Sequence, residues 1–185
     1  MSRLPQIENP DNNPELKDAY QVASDAGWVT PGGSVINFVK SFSEKPNIIK
    51  SIITLDNEIA GGAVPLTVLQ MIGMTVAKQN ECRYCEVFSA GALEALGVPN
   101  NVIQSCANDP DLTEIPPPQR ATIKFALKMA KDPKSLNNED FDKLREFGMS
   151  DSEILEIMTY TSLVNFYDVL ADAMDLVVEG SEETP

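Results

Sequence analysis

Residues 77–89 read Ala77-Lys-Gln-Asn-Glu-Cys-Arg-Tyr-Cys-Glu-Val-Phe-Ser89, and the rest of the chain is organised around them. They place Cys82 and Cys85 in a Cys-x-x-Cys pair after a polar link, where apolar residues begin to recur at three-to-four spacing. That spacing predicts an amphipathic helix of about three to four turns that ends at Gly97. Both cysteines therefore fall in the first turn of a predicted helix.

The first turn of a helix is a reactive setting for a cysteine. Unpaired N–H groups and the helix dipole favour an anion there, so a thiolate is stabilised and its pKa is expected to fall below about 8.5. Cys82 and Cys85 are three residues apart on one helical face, which lets their sulfurs exchange thiol and disulfide states. The alternative is two small buried side chains, and Cys106 is interpreted in that way, as packing.

The length, composition and net charge of the chain indicate what kind of protein it is. A length of 185 residues with 43% hydrophobic content predicts one domain, 1–185, with an irregular arm at 1–13 and a frayed acidic tail at 179–185. No apolar run is long enough to span a membrane, and the start is not of the secretory type, so a cytoplasmic location is expected. Fourteen basic residues against 28 acidic ones give a net charge of −14, which argues against a nucleic-acid or membrane-surface partner.

The residue types that are missing exclude several chemistries. The chain contains no histidine, which removes histidine-based triads, mixed cysteine–histidine zinc sites and haem histidine ligands. Its three cysteines cannot form a four-cysteine zinc site within one chain. We therefore expect neither a metal nor a cofactor.

Helical periodicity runs along the whole chain, with no sustained alternation of apolar and polar residues. The fold class predicted is all-α. The predicted helices are 14–27 with Asn13 as N-cap, 35–42, 47–60, 64–77, 82–97, 99–107, 119–130, 137–148 with Asn137 as N-cap, and 150–178 with Ser150 and Glu153 as a capping box. The helix at 64–77 is apolar nearly all round and is expected to be central.

The order of these features resembles a known family. A long apolar helix, the link Gln79-Asn-Glu81, the Cys-Arg-Tyr-Cys motif and a small-residue helix ending in Ala95-Leu-Gly97 are similar to the alkylhydroperoxidase D (AhpD) branch of the carboxymuconolactone decarboxylase superfamily. Lys124–Pro133, Phe147–Glu156 and Leu170–Met174 resemble its C-terminal half. The resemblance covers residues 30 to 178 and implies an oligomeric, all-helical, AhpD-like antioxidant peroxidase.

The resemblance also implies a role for each cysteine. Cys85 would be the peroxidatic residue that attacks the hydroperoxide, and Cys82 the resolving residue that converts the sulfenic acid into a disulfide. An external dithiol, suspected to be of the lipoyl type, would then reduce the pair again. The partners implied are thus a hydroperoxide substrate, a dithiol reductant and further copies of the chain, as a dimer, trimer or hexamer.

The chain departs from the family at the proton relay. The family's glutamate lies twelve residues before the first cysteine, where this chain has Gln70, and its histidine lies four residues after the second, where this chain has Ser89. Neither side chain titrates near neutral pH, so peroxidase activity is expected to be weak unless another base serves. Possible auxiliary groups are the neighbours Glu81, Glu86 and Tyr84.

Three functions stay open on these residues. The first is a thiol-dependent peroxidase or thiol–disulfide oxidoreductase. The second is a non-catalytic or redox-sensing oligomeric helical protein that keeps the cysteine pair without turnover. The third is a decarboxylase-like small-molecule enzyme in the same fold, for which the chain offers no identifiable base.

Overall fold

The structure is a computed structural model, and it describes residues 2–109 and 111–180. The regular secondary structure of these residues is helical, apart from an isolated bridge between Val29 and Val35, so the all-α prediction is confirmed. The helices are α1 (Pro14–Asp25), α2 (Asn37–Lys40), α3 (Pro46–Ala60), α4 (Leu66–Gln79), α5 (Arg83–Ala95), α6 (Asn100–Asn108), α7 (Pro117–Lys131), α8 (Asn138–Glu146) and α9 (Asp151–Met174), with a 3-10 turn at Pro133–Ser135. Within the described ranges, none of them is long and apolar enough to cross a membrane.

The predicted helix starts are confirmed by their caps. The Asn13 side chain accepts from the Leu16 N–H at 3.1 Å, and Asn137 forms a capping box with Asp140. Ser150 and Glu153 cap α9, whose Ser150 N–H donates to the Glu153 carboxylate at 2.8 Å. Each cap satisfies N–H groups that the first helical turn leaves without a partner.

Helix α9 ends before the predicted residue 178. Asp175 adopts a left-handed conformation with φ of 57°. Its N–H donates to Asp172 O, and the Leu176 N–H reaches back to Ala171 O. This pair of bonds closes the last turn and turns the chain away from the helix axis, which the apolar periodicity of the sequence does not reveal.

The described chain divides into two compact units. The terminal unit consists of the residues up to Glu58 together with those from Leu170 onward, and the central unit is Ile59–Val169. In the terminal unit the predicted irregular arm is tied down, because the Arg3 N–H donates to Met174 O at 2.8 Å. Of the predicted acidic tail, residues 181–185 lie outside the described residues.

The central unit is built on α4, which packs against α5, α6 and α7. Nine of the ten residues of α4 from Val68 to Ala77 are buried, the exception being Gln70, so the prediction of a central helix is confirmed. Helix α5 approaches α4 closely at Gly73. A Cβ added there would lie 2.8 Å from Ser89 Oγ, which leaves room for glycine only unless Ser89 moves.

The link between α4 and α5 is a tight helix end that sets the position of the cysteines. Glu81 has a φ of 63°, its N–H donates to Lys78 O, and the Cys82 N–H donates to Ala77 O at 2.9 Å. These two bonds form a Schellman motif, in which the residue at the Glu81 position is usually glycine. Cys82 therefore closes α4 and is also the N-cap of α5.

We expect Glu81→Gly to stabilise the reduced protein by about 0.5–1 kcal/mol. A non-glycine residue in the left-handed conformation costs roughly 1–2 kcal/mol, and the greater freedom of glycine in the unfolded chain offsets part of that gain. Urea unfolding measures the change. Glu81→Ala is the matched control, since it removes the same charge but keeps the strain, and an equal gain from alanine would contradict the prediction.

Candidate thiol site

The structure places the two cysteines at the start of α5, as the motif predicts. Cys82 is the N-cap and is fully buried, whereas Cys85, the third helical residue, is half-buried. Both are free thiols, and so is Cys106, which packs in the core of the central unit. Cys85 is therefore the more accessible sulfur of the pair, while Cys82 faces the protein interior.

A third group, Asp168 of α9, completes the site. The two sulfurs and a carboxylate oxygen of Asp168 all lie within 4.8 Å of one another. Asp168 is only 2% exposed, and its Oδ2 accepts a hydrogen bond from Asn80 Nδ2 at 2.7 Å. Asn80 Nδ2 also donates to Asn165 Oδ1 at 2.7 Å, so Asn80, the C-cap of α4, orients the acid on α9.

Asp168 is a functional candidate that sequence reasoning missed. It lies 83 residues after Cys85 in the chain, and only the packing of α9 brings it to the thiols. One sequence signal does point to it. Asp168 shares a helical face with the buried residues Val164 and Ala171, and an acid on an apolar face is rarely placed there without a partner.

The environment raises the pKa of Cys85 above its usual value, contrary to the expectation from helix position alone. The largest cause is a hydrogen bond with Cys82, followed by burial, by electrostatic repulsion from Cys82, and last by the negative charge of Asp168 and a hydrogen bond with it. Each cause favours the protonated form of the thiol. The pKa-lowering effect of the helix N-terminus is therefore smaller than the effects that raise the pKa. Cys85 is a protonated thiol at neutral pH, and a reaction at its sulfur requires a group that accepts the proton.

This raised pKa predicts a loss of stability in alkali. The unfolded chain releases the Cys85 proton near its ordinary pKa of about 8.5, whereas the folded protein retains it. The stabilisation is thus complete below that value and declines as the pH rises toward the folded-state pKa, by up to about 1.4 kcal/mol per pH unit. Urea unfolding of reduced protein at pH 8 and 10 measures it. Cys85→Ser should lose less stability over the same interval, and an equal loss would contradict the prediction.

The residues at the positions of the family's relay lie in a second polar cluster of the central unit. Gln70 Nε2 donates to Tyr160 Oη at 3.4 Å, and not to Ser89 as its position in the family would suggest. Ser89 Oγ and Tyr160 Oη both approach Gly73. Gln70 Oε1 is buried and has no hydrogen-bond partner among the described residues. Because Ser89 is one helical turn after Cys85, this cluster lies on the same face of α5 as Cys85.

The three auxiliary candidates differ in position. Glu81 is exposed, and Tyr84 is buried. Glu86 is largely buried and pairs with Lys78 at 3.7 Å and, more loosely, with Arg83 at 4.0 Å. Glu86 lines a groove of about 400 Å³ between α4, α5 and α6, together with Val87, Gly91 and Gln104 among others. The Arg83 guanidinium is thus paired with the Glu86 carboxylate, which partly neutralises its positive charge.

Fold and site together define a class: an all-helical protein with a partly buried dithiol at a helix start beside a buried carboxylate. Solved structures with a similar fold include AhpD-core and peroxidase-related proteins. The AhpD-core, peroxidase-related protein of Ralstonia eutropha JMP134 matches with a TM-score of 0.82 at 24% identity, over 97% of this chain and 93% of that one. The peroxidase-related protein of Silicibacter sp. TM1040 matches with a TM-score of 0.85 at 19% identity, over 97% and 92% of the two chains.

A third similar structure is the debrominase Bmp8, with a TM-score of 0.77 at 19% identity over 96% of this chain and 92% of that one. A cysteine-to-alanine variant of Bmp8 has been solved in complex with 2,3,4-tribromopyrrole. No protein-family model and no curated protein sequence matches the chain. The chain has an AhpD-like fold.

Proposed function

We propose that the protein is a two-cysteine thiol oxidoreductase that reduces hydroperoxides, with Cys85 as the attacking residue and Cys82 as the resolving one. The observation that carries this proposal is the grouping of both sulfurs and the Asp168 carboxylate within 4.8 Å. The half-buried position of Cys85 and the full burial of Cys82 support the same order of reaction. The AhpD-like fold supports the chemical class.

In the proposed reaction Asp168 does the work of the missing histidine. The Cys85 sulfur attacks the terminal peroxide oxygen, the S–O bond forms and the O–O bond breaks. The thiol proton passes to Asp168 and then to the leaving alkoxide, which departs as an alcohol. Sulfur is oxidised by two electrons to a sulfenic acid, and the peroxide is reduced by two electrons.

Cys82 completes the cycle. Its sulfur attacks the sulfenic acid, a disulfide forms and water leaves, so that two thiols and one hydroperoxide yield one disulfide, one alcohol and one water. An external dithiol of the dihydrolipoyl type then exchanges with the disulfide and restores both thiols. We also expect the protein to act as a homo-oligomer, in keeping with the family resemblance.

The test is stoichiometric oxidation followed by turnover. Reduced protein is mixed with one equivalent of cumene hydroperoxide, and the products are analysed by peptide mass spectrometry. A Cys82–Cys85 disulfide, with Cys106 still reduced, is the expected product, and excess dihydrolipoamide should then sustain repeated peroxide consumption. Oxidation by one equivalent without turnover would instead favour the redox-sensing alternative, and no oxidation at all would contradict both.

Reductive dehalogenation is a second candidate function, supported by the similarity to the debrominase Bmp8 over nearly the whole chain. The same dithiol could supply its electrons. A carbon–bromine bond accepts two electrons and a proton, bromide leaves, and the two thiols become a disulfide with release of the second proton. Parallel assays with cumene hydroperoxide and 2,3,4-tribromopyrrole, each scored by disulfide formation, distinguish the two substrates.

A further inference from the structure

We propose that the reduced thiol site is also a metal site, in which the Cys82 and Cys85 sulfurs and the Asp168 carboxylate bind one Zn²⁺ ion. This inference uses the same side chains as the proposed oxidoreductase, but it requires no catalytic turnover. It assigns to the site a second, reversible state in which the thiols are protected from oxidation. Neither the histidine-free composition nor the cysteine count suggests such a site, because its third ligand is a carboxylate distant in sequence.

The spacing of the three groups suits a tetrahedral ion. With Zn–S bonds of about 2.3 Å and Zn–O bonds of about 2.1 Å, tetrahedral geometry requires ligand atoms about 3.5–3.8 Å apart. The donor atoms lie within 4.8 Å of one another before any ion is bound. The donor atoms therefore have to approach one another by about 1.3 Å at most to close the site.

The chemistry of the donors selects the ion. Two thiolates and one carboxylate suit Zn²⁺, which accepts sulfur and oxygen ligands, and they disfavour Mg²⁺ and Ca²⁺, which prefer oxygen ligands only. Three groups that can each carry a negative charge are crowded into a buried space, and their mutual repulsion is relieved when a divalent cation replaces the protons. The net charge of −14 also attracts cations toward the protein.

The surroundings of Asp168 resemble those of an oriented metal ligand. Asn80 Nδ2 donates to Asp168 Oδ2 at 2.7 Å and to Asn165 Oδ1 at the same distance, and Asn165 Nδ2 reaches Ala130 O at 3.5 Å. Such outer hydrogen bonds hold a ligating carboxylate in one orientation. Three protein ligands leave a fourth coordination position, which water or a small thiol can fill.

Metal binding and oxidation exclude each other at this site. Both sulfurs are occupied as thiolates in the bound state, and neither is free to be attacked by the other. Oxidation releases the ion: two thiolates, one hydroperoxide and two protons give a disulfide, an alcohol, water and free Zn²⁺. The inferred consequence is that Zn²⁺ slows oxidation of the two cysteines, and that a peroxide that does oxidise them releases the bound Zn²⁺.

Cobalt titration tests the metal site directly. Reduced full-length protein is titrated with Co²⁺, which gives a thiolate-to-metal charge-transfer band and intense visible bands in a tetrahedral sulfur-containing site. We expect one equivalent to bind, Zn²⁺ to displace it, and Cys82→Ser or Cys85→Ser to abolish the charge-transfer band of the paired site. Asp168→Asn should weaken binding by at least about 10–100-fold, the range that even outer partners of a metal ligand contribute.

Two controls separate this site from nonspecific binding and from misfolding. Asp172→Asn changes an exposed acid one turn further along α9 and should leave cobalt affinity unchanged. The oxidised wild type, which needs no substitution, should bind no cobalt. Equal affinity in wild type and Asp168→Asn, a band that survives oxidation, or no band in the reduced protein would each overturn the inference. These results are read without any peroxidase assay, so a catalytically inactive protein can still confirm the metal site.

Discussion

Replacing Cys85 with serine is expected to abolish peroxide consumption, lowering the rate by about 10³-fold or more, as loss of a catalytic nucleophile typically does. A serine hydroxyl is far less nucleophilic than sulfur and cannot form a sulfenic acid. The substitution is also nearly isosteric at a half-buried position, so the fold should persist. Steady-state consumption of cumene hydroperoxide with excess dihydrolipoamide measures the effect.

Substitutions at the other two cysteines show whether the loss of activity is specific to Cys85. Cys82→Ser should still consume the first equivalent of peroxide, because Cys85 is intact, but it should stop at a sulfenic acid that dimedone can trap. Cys106→Ala, in the core of the central unit, should consume peroxide as the wild type does. Peroxide consumption that persists in Cys85→Ser and fails in Cys82→Ser would reverse the proposed roles of the two cysteines.

Asp168→Asn is expected to slow the oxidation of reduced Cys85 by about 10²–10⁴-fold at pH 7, the contribution of a general base. The asparagine side chain retains an oxygen that can accept from Asn80, so the hydrogen bond at 2.7 Å need not be lost. What it cannot do is take the thiol proton. Stopped-flow oxidation of reduced protein by excess cumene hydroperoxide measures the change directly, without dependence on the reductant.

The sign of this effect is diagnostic, because Asp168 acts on Cys85 in two opposite ways. Its charge raises the pKa of the Cys85 thiol, so a purely electrostatic role predicts more thiolate and a faster reaction in the asparagine variant. A proton-accepting role predicts a slower one. The variant should also recover as the pH rises and hydroxide removes the proton instead. Asp172→Asn should react like the wild type, and a faster Asp168→Asn variant would rule out the base.

Local sequence patterns were sufficient for most of the helices. The caps at Asn13, Asn137 and Ser150 bind residues no more than three or four positions away, so both the capping side chain and its partner can be predicted from the sequence. The end of α9 could not be predicted, because it depends on a left-handed conformation at Asp175, whereas the usual sequence signal for such a helix end is glycine. Periodicity reports which face of a helix is buried and says less about where the chain turns away.

The candidate site likewise has features that the sequence predicts and features that it does not. The Cys-x-x-Cys spacing was enough to place both sulfurs on one face at a helix start, and α5 has them there. The pKa of Cys85 was expected to fall, whereas the hydrogen bond with Cys82 raises it most, followed by burial and, further down, by Asp168, which only the tertiary packing brings to the site. Likewise, Gln70 is hydrogen-bonded to Tyr160, which lies 90 residues further along the chain.

The sequence by itself determined that this is an all-helical protein with a paired thiol at the start of a helix and with no histidine to serve it. Those properties follow from composition and from interactions between residues a few positions apart. Only the tertiary structure decided what surrounds the thiols. The packing of α9 against the end of α4 brings Asn80 and Asp168 to the cysteines, and a contact between residues more than 80 positions apart leaves no periodic trace in a single chain.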